Sequence, residues 1–201
     1  MSSDGLTLYE FDARYRKEFG VICGVDEAGR GPLAGPVACA AVILGSEEIE
    51  GVNDSKKITE KKREILYEEI MKKAEAVSVE LVWPETIDRI NILEATMLGM
   101  KRAVEKLPFT PDIVLIDGNR LPDIDVSEEY VIHGDARSAS IAAASIIAKV
   151  TRDRIMREYA MEFPEYGFEK HKGYGTKAHY EALREFGITP IHRLSFLKNF
   201  K

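Results

Sequence analysis

Apolar residues recur along the chain with two rhythms, every second residue or every third to fourth, and the switches between them outline the elements. Residues 8–19 carry the pattern of a short amphipathic helix. Residues 21–25 form a short apolar run that reads as a strand, and 37–44 a second, buried-looking strand ending at Gly45. Between them, Gly29-Arg30-Gly31-Pro32 and Gly35-Pro36 interrupt regular structure. Thr59 suits the N-cap of a helix running to about Lys73, 76–82 reads as a strand, and 86–107 as helix broken near Asn91. Residues 113–116 are continuously apolar, as in a central strand, and lead straight into Asp117-Gly118-Asn119. A short strand over 130–133 precedes a long helix from Ser138 to about Phe163, whose first half is nearly all Ala, Ser and Ile. A last helix spans 176–186 and stops at Gly187. The order predicts an α/β fold, a mixed sheet with helices packed on its faces. Ala142, Ala143, Ala144 and Ser145 give the long helix a thin face for close packing on that sheet, and Trp83, Met97 and Met100 are expected in the core.

Composition narrows the picture. At 201 residues the chain fills one core and falls short of two, so 1–201 is expected to be a single domain whose residues from about 165 to 201 form a C-terminal helical segment. No apolar run reaches the roughly 20 residues that span a bilayer, and the first residues lack a basic start and an apolar stretch. No membrane segment or secretory signal is expected, and a cytoplasmic monomer is. Two cysteines, Cys23 and Cys39, lie in apolar runs and read as small core residues of a reducing compartment.

The net charge of -6 is unlike that of a generic nucleic-acid binder, but the charges are unevenly placed. Residues 133–201 hold 12 Lys and Arg against 8 Asp and Glu, whereas residues 1–132 hold 16 against 26. All four histidines also lie in the later segment. An acidic part suits metal carboxylates and a basic part suits phosphates, although solvated surface charge explains most of these residues equally well.

Four acids sit where strands give way to something else. Asp26 and Glu27 end the first strand, Asp117 ends the central run, and Asp135 stands between a short strand and the long helix. Hydrolysis of a phosphodiester by two metal ions needs carboxylates converging on one place, and rigid strand ends hold them there. Mg²⁺ suits such oxygen ligands. Adjacent residues on a regular strand face opposite ways, so Asp26 and Glu27 share a site only if the strand stops or bends there. Taken singly, each acid is equally readable as a turn residue or a helix cap.

The stretch from Gly24 through Val37, with Gly24-Val25-Asp26-Glu27-Ala28-Gly29-Arg30-Gly31-Pro32 at its head, closely resembles the opening signature of ribonuclease HII of the bacterial kind. Asp54-Ser55-Lys56-Lys57, Asp117-Gly118, Gly134-Asp135-Ala136, Ser145-Ile146-Ile147-Ala148-Lys149, Gly173-Tyr174-Gly175-Thr176 and His192-Arg193 follow in family order over nearly the whole chain. The resemblance implies a ribonuclease H-like fold and a metal centre of Asp26, Glu27, Asp117 and Asp135 holding Mg²⁺ or Mn²⁺, two ions per site. It implies an endonuclease that cuts the RNA strand of RNA–DNA hybrids and incises 5′ to a single ribonucleotide in duplex DNA, leaving 3′-hydroxyl and 5′-phosphate ends. It also implies that Gly29, Arg30 and Gly31 contact the nucleotides at the RNA–DNA junction, and that Tyr174 stacks on the sugar after the ribonucleotide. The related ribonuclease HIII typically lacks the loop arginine and carries an extra N-terminal domain, so Arg30 and the short N-terminus favour HII.

Further substrate contacts are expected from Lys56, Ser138, Lys149, Arg152, His192 and Arg193, as groups able to reach phosphates and position the duplex. Ser140, Lys57 and His171 are candidates of the same kind. The histidine spacing matches no zinc pattern. His133 and Leu194 depart from the family, at positions where basic residues are common. A non-catalytic hybrid-binding protein is the rival reading, against which stands the repulsion among four gathered acids. A contact with a sliding clamp would use residues 194–200, which lack the glutamine and paired aromatics of the usual clamp peptide.

Overall fold

The computed structural model describes residues 5–52, 58–198 and 200. Strand β1 (Ile22–Ala28) pairs antiparallel with β2 (Val37–Ile43), and β2 antiparallel with β3 (Ala76–Val82). On its other edge β1 pairs in parallel with β4 (Ile113–Asp117), and β4 with β5 (Ser127–Val131). The sheet order is therefore β3-β2-β1-β4-β5, with β1 in the middle.

Helices cover both faces, and period-2 alternation in the strands decides which residue meets which helix. Ala40 and Val42 face the long helix α5 (Ala139–Glu162) and α2 (Glu60–Lys73). Cys39, Ala41 and Ile43, with Cys23, Val25 and Val114, face α4 (Ile92–Glu105). The small-residue face of α5 brings it very close to β1. A Cβ on Gly24 would lie 2.1 Å from the backbone carbon of Ser140. Arg154 and Arg157 of α5 clasp Glu64 of α2 at 2.6 and 2.5 Å, tying the outer surfaces together.

Local signals set the helix ends. Thr7 makes a capping box with Glu10 at the start of α1 (Leu8–Phe19), and the hydroxyls of Thr59 and Ser138 accept from Lys62 and Ile141 at the starts of α2 and α5. The expected break at Asn91 is real. Asn91 takes φ 69°, ends α3 (Pro84–Ile90), and accepts from the amides of Leu93 and Glu94 to cap α4. Beyond α5 come α6 (Phe168–His171) and α7 (Lys177–Phe186), which pack with Leu33, Ala34 and Met156 in a separate apolar cluster.

Three expectations need correction. Strand β1 continues through Asp26 and Glu27 to Ala28 rather than stopping at the acids, because both remain in the antiparallel ladder opposite Ala40 and Cys39. Strand β5 begins at Ser127 and ends at Val131, since its parallel pairing to β4 outweighs its weak apolar pattern. Trp83 is 40% exposed rather than core, because it follows the edge strand β3, where no further strand covers it. Cys23 and Cys39 are buried and free, and burial pushes the Cys23 thiol up to about 12. Among the described residues no helix is long and apolar enough to cross a membrane.

Candidate active site

The sheet's parallel pair builds the centre. Ile116 pairs with Val25, so the next residues, Asp117 and Asp26, follow at the carboxyl ends of neighbouring strands. Leu115 and Gly24 also pair, and both lie on the α5 side. Two steps on, Asp117 and Asp26 therefore share that side. Ser145 of α5 hydrogen-bonds Asp26, and the Glu27 amide donates to Asp26 Oδ1 at 2.7 Å. Glu27 sits one residue out of phase, yet it lines the same cleft, in the stretch of β1 that runs on beyond its last pairing to β4, at Val25.

Asp26, Glu27 and Asp117 line one cleft of about 270 Å³ with Gly29, Arg30 and Gly31, and with Arg63, Ser145, Lys149 and Tyr174. Asp135 is buried in the turn Gly134–Ala136, just beside it. Asp117 Oδ1 joins them, accepting from the amides of Gly134 at 2.6 Å and Asp135 at 3.4 Å. Burial, then the nearby charges of Glu27 and Asp117, push the Asp26 carboxyl well above the usual carboxylate range, while Ser145 and the Glu27 amide pull it back. Among the described residues no three such side chains are drawn into a ready-made cage for an ion. The donor set is nevertheless one of hard oxygens whose mutual repulsion a divalent cation would relieve, and it fits Mg²⁺ or Mn²⁺.

The glycine loop crosses the cleft mouth. Gly29 has φ +97°, and a Cβ there would strike the Arg152 side chain at 2.0 Å, so only glycine fits. Tyr174 is 46% exposed and its ring lies over Gly31, 3.5 Å from where a Cβ would stand. Arg30 reaches back to Glu27 at 3.5 Å with its head half in water. Lys149 pairs with Asp153 at 2.7 Å and keeps part of its side chain exposed to the cleft.

Several expected substrate contacts turn out to be supports. Ser138 is fully buried, where it caps α5 and donates to Asp12 Oδ1 at 2.6 Å, so it reaches no phosphate. Ser140 is likewise buried on Asp12. Arg152 borders the cleft but is 1% exposed, its guanidinium given to the carbonyls of Pro36, Lys172 and Ala34. Arg193 is buried and donates to the carbonyls of Gly35, Arg30 and Gly29. Desolvation lowers Arg152 to about 10 and Arg193 to about 9, which leaves both cationic at neutral pH. His192 is buried against His179 and Thr189. These residues shape the glycine loop from behind, because folded backbone carbonyls left without water need donors. Lys56 and Lys57 lie outside the described residues.

Sequence reasoning missed Arg63 and the site role of Ser145. Ser145 lies four residues before Lys149 and seven before Arg152, one helical face, so its place was legible. Arg63 is brought in by the packing of α2 on α5, and no local signal marks it.

The chain matches the family model described as Ribonuclease HII over residues 23–199. A ribonuclease HII of Acetivibrio thermocellus is 55% identical over 196 residues, covering 97% of this chain and 76% of that protein. The crystal structure of the ribonuclease H2 from Pyrococcus horikoshii superposes with a TM-score of 0.73 at 29% identity, over 87% of this chain and 93% of that one. The ribonuclease HII in the PCNA complex from Archaeoglobus fulgidus gives a TM-score of 0.71 at 29% identity, over 87% and 94%. With that fold, that order of motifs and that match over most of its length, the chain belongs to the ribonuclease HII family and is a ribonuclease H hydrolase.

Proposed function

We propose that this hydrolase cuts the RNA strand of RNA–DNA hybrids and incises 5′ to single ribonucleotides embedded in duplex DNA, leaving 3′-hydroxyl and 5′-phosphate ends. One observation carries the reading: the acids Asp26, Glu27 and Asp117 share their cleft with Gly29–31 and Tyr174. A nucleotide held at the acids then lies against the loop and the aromatic ring.

Asp26, Glu27, Asp117 and Asp135 would hold Mg²⁺ or Mn²⁺. The chemistry such ions would supply when bound, two per site in this reading, is activation of a water towards phosphorus and stabilisation of the leaving 3′-oxygen. Every other contribution comes from the chain. Ser145 and the Glu27 amide fix the Asp26 carboxylate. The Gly134 and Asp135 amides fix Asp117. Backbone groups of Gly29–31 approach the 2′-hydroxyl, which both donates and accepts and so separates RNA from DNA. The Tyr174 ring takes the next sugar, where a deoxyribose fits best. Arg30 and Lys149 reach flanking phosphates. The substrate's phosphate and 2′-hydroxyl would complete part of the site, so affinity for metal without substrate should be modest. A contact with a sliding clamp would use residues 194–200; the ribonuclease HII of Archaeoglobus fulgidus, 29% identical, was solved in complex with PCNA.

The test is cleavage of a labelled DNA duplex carrying one ribonucleotide, in Mg²⁺, Mn²⁺ or chelator, beside an all-DNA control and a long hybrid. A single metal-dependent cut 5′ to the ribonucleotide, lost by at least about a hundredfold in Asp117→Asn, is expected. Cutting of long hybrids alone would remove the roles given to the loop and Tyr174. No cutting by folded protein would favour a hybrid-binding protein.

A further inference from the structure

The segment behind Tyr174 holds three histidines that do not enter the cleft. His179 and His192 are 0% and 2% exposed, and Phe168 sets its ring edge-on to His179 at 5.4 Å. His171 stacks on His179 with ring centroids 4.6 Å apart.

Hydrogen bonds fix which nitrogen of each ring carries the proton. The Thr189 amide can only donate, so His192 Nδ1, 2.9 Å away, accepts. His192 Nε2 therefore bears the hydrogen. The Tyr174 carbonyl can only accept, so His179 Nδ1, 2.9 Å away, donates to it. His179 Nε2 is then bare, and it accepts from His192 Nε2 at 3.0 Å. The assignments start from opposite ends and agree at the shared bond. The relay runs from the Thr189 amide through His192 and His179 to the Tyr174 carbonyl. It requires both rings neutral, since an added proton would set two N–H groups face to face. Burial disfavours that proton on both rings, and beside His179 it brings His192 down to about 4.

The loop that the relay grips needs holding. Lys172 and Gly173 take φ of 51° and 84° in succession, a costly backbone for a lysine. The Tyr174 side chain is half in solvent, so burial does little to fix it. His171 braces the same loop, accepting from the Gly173 amide at 3.2 Å and donating to the Tyr166 carbonyl at 2.8 Å.

We propose that His179 and His192 are positioning residues: by clamping the Tyr174 carbonyl they set where the Tyr174 ring stands over Gly31, and so how strictly the enzyme reads the RNA–DNA junction. The inference rests on the substrate role given to Tyr174 above.

The test compares kcat/KM on the single-ribonucleotide duplex and on a long hybrid for the full chain, Tyr174→Ala, His179→Phe, His179→Asn and the Tyr174→Ala/His179→Phe double variant. His179→Phe should lose about tenfold on the junction substrate and much less on the hybrid. His179→Asn, whose amide nitrogen stands near the Nδ1 position, should recover most of that loss. In the Tyr174→Ala background His179→Phe should cost nothing further. Equal losses on both substrates, or additive losses in the double variant, would overturn the relay's role. If Tyr174→Ala alone left the ratio of the two substrates unchanged, the reading of Tyr174 would fall first, and visibly so. Should His179→Phe lose cooperative melting, His192→Leu makes the same comparison: it removes the donor to His179 and the acceptor that Thr189 uses, and leaves the bond from His179 to the Tyr174 carbonyl in place. Nitrogen-15 imidazole spectra give an independent readout. They should show His179 as the Nδ1–H and His192 as the Nε2–H tautomer at neutral pH, and the reverse pattern would also overturn the relay.

Discussion

At the scale of single residues, Asp26 sets function against stability. Its carboxyl is buried among other acids, and the folded state resists its ionisation. An acid whose pKa is raised on folding weakens the fold once the unfolded chain ionises, above about pH 4. The penalty grows until the pH passes the raised value. Below about pH 4 the carboxyl is protonated in both states and the penalty vanishes. Asp26→Asn should therefore stabilise the metal-free protein by about 1–2 kcal/mol at neutral pH while abolishing cleavage. Melting in chelator at pH 7 and near pH 4 checks this: the advantage should be present at the first and absent at the second. An equal shift at both would assign the effect to packing rather than charge. Asp26 was legible as an acid following an apolar run, but its cost was not. Burial follows from the close approach of α5, which no single position announces.

At the scale of elements, that approach has one narrow point. Gly24 stands in the central strand against the start of α5, where the contact is backbone to backbone and neither side can swing away. Gly24→Ala should cost at least about 3 kcal/mol, lowering Tm by roughly 10 °C, and should displace α5 together with Ser145 and Lys149. Melting and cleavage measured together test this; an unchanged Tm would mean the helix yields more readily than its Ala face suggests. The elements were largely legible. Their caps are local: Thr59, Asn91, Ser138 and Thr176 each announce a helix start within four residues. What stayed hidden depends on distant partners. Strand β5 is weakly apolar and is defined by its pairing to β4. Arg152 and Arg193 look like phosphate ligands in sequence because their partners, six backbone carbonyls, belong to the loops at 28–36 and 172. A guanidinium that grips backbone and one that grips phosphate have the same letter, and only burial separates them.

For the whole molecule, the question is how a chain of net charge -6 holds a polyanion. The acidic excess lies in residues 1–132, and the cations that line the cleft among the described residues are Arg30, Arg63 and Lys149 besides the buried Arg152. Arg152 makes no contact with a phosphate, since it is almost wholly buried and its guanidinium is held by three backbone carbonyls. Binding should then depend on salt as expected for a small number of phosphate contacts. The slope of log affinity against log salt should be about three, not the ten of a strongly basic binder. The acidic excess of residues 1–132 should keep nonspecific binding weak. The measurement is fluorescence anisotropy of the single-ribonucleotide duplex on the Asp117→Asn protein across a salt series. Replacing Lys149 by methionine should flatten the slope by about one while leaving the preference for the junction intact, because a phosphate contact carries no sugar information. A slope unchanged by Lys149→Met would show that the duplex lies along a different path from the one the cleft defines. A steeper starting slope would place further phosphate contacts beyond these three side chains.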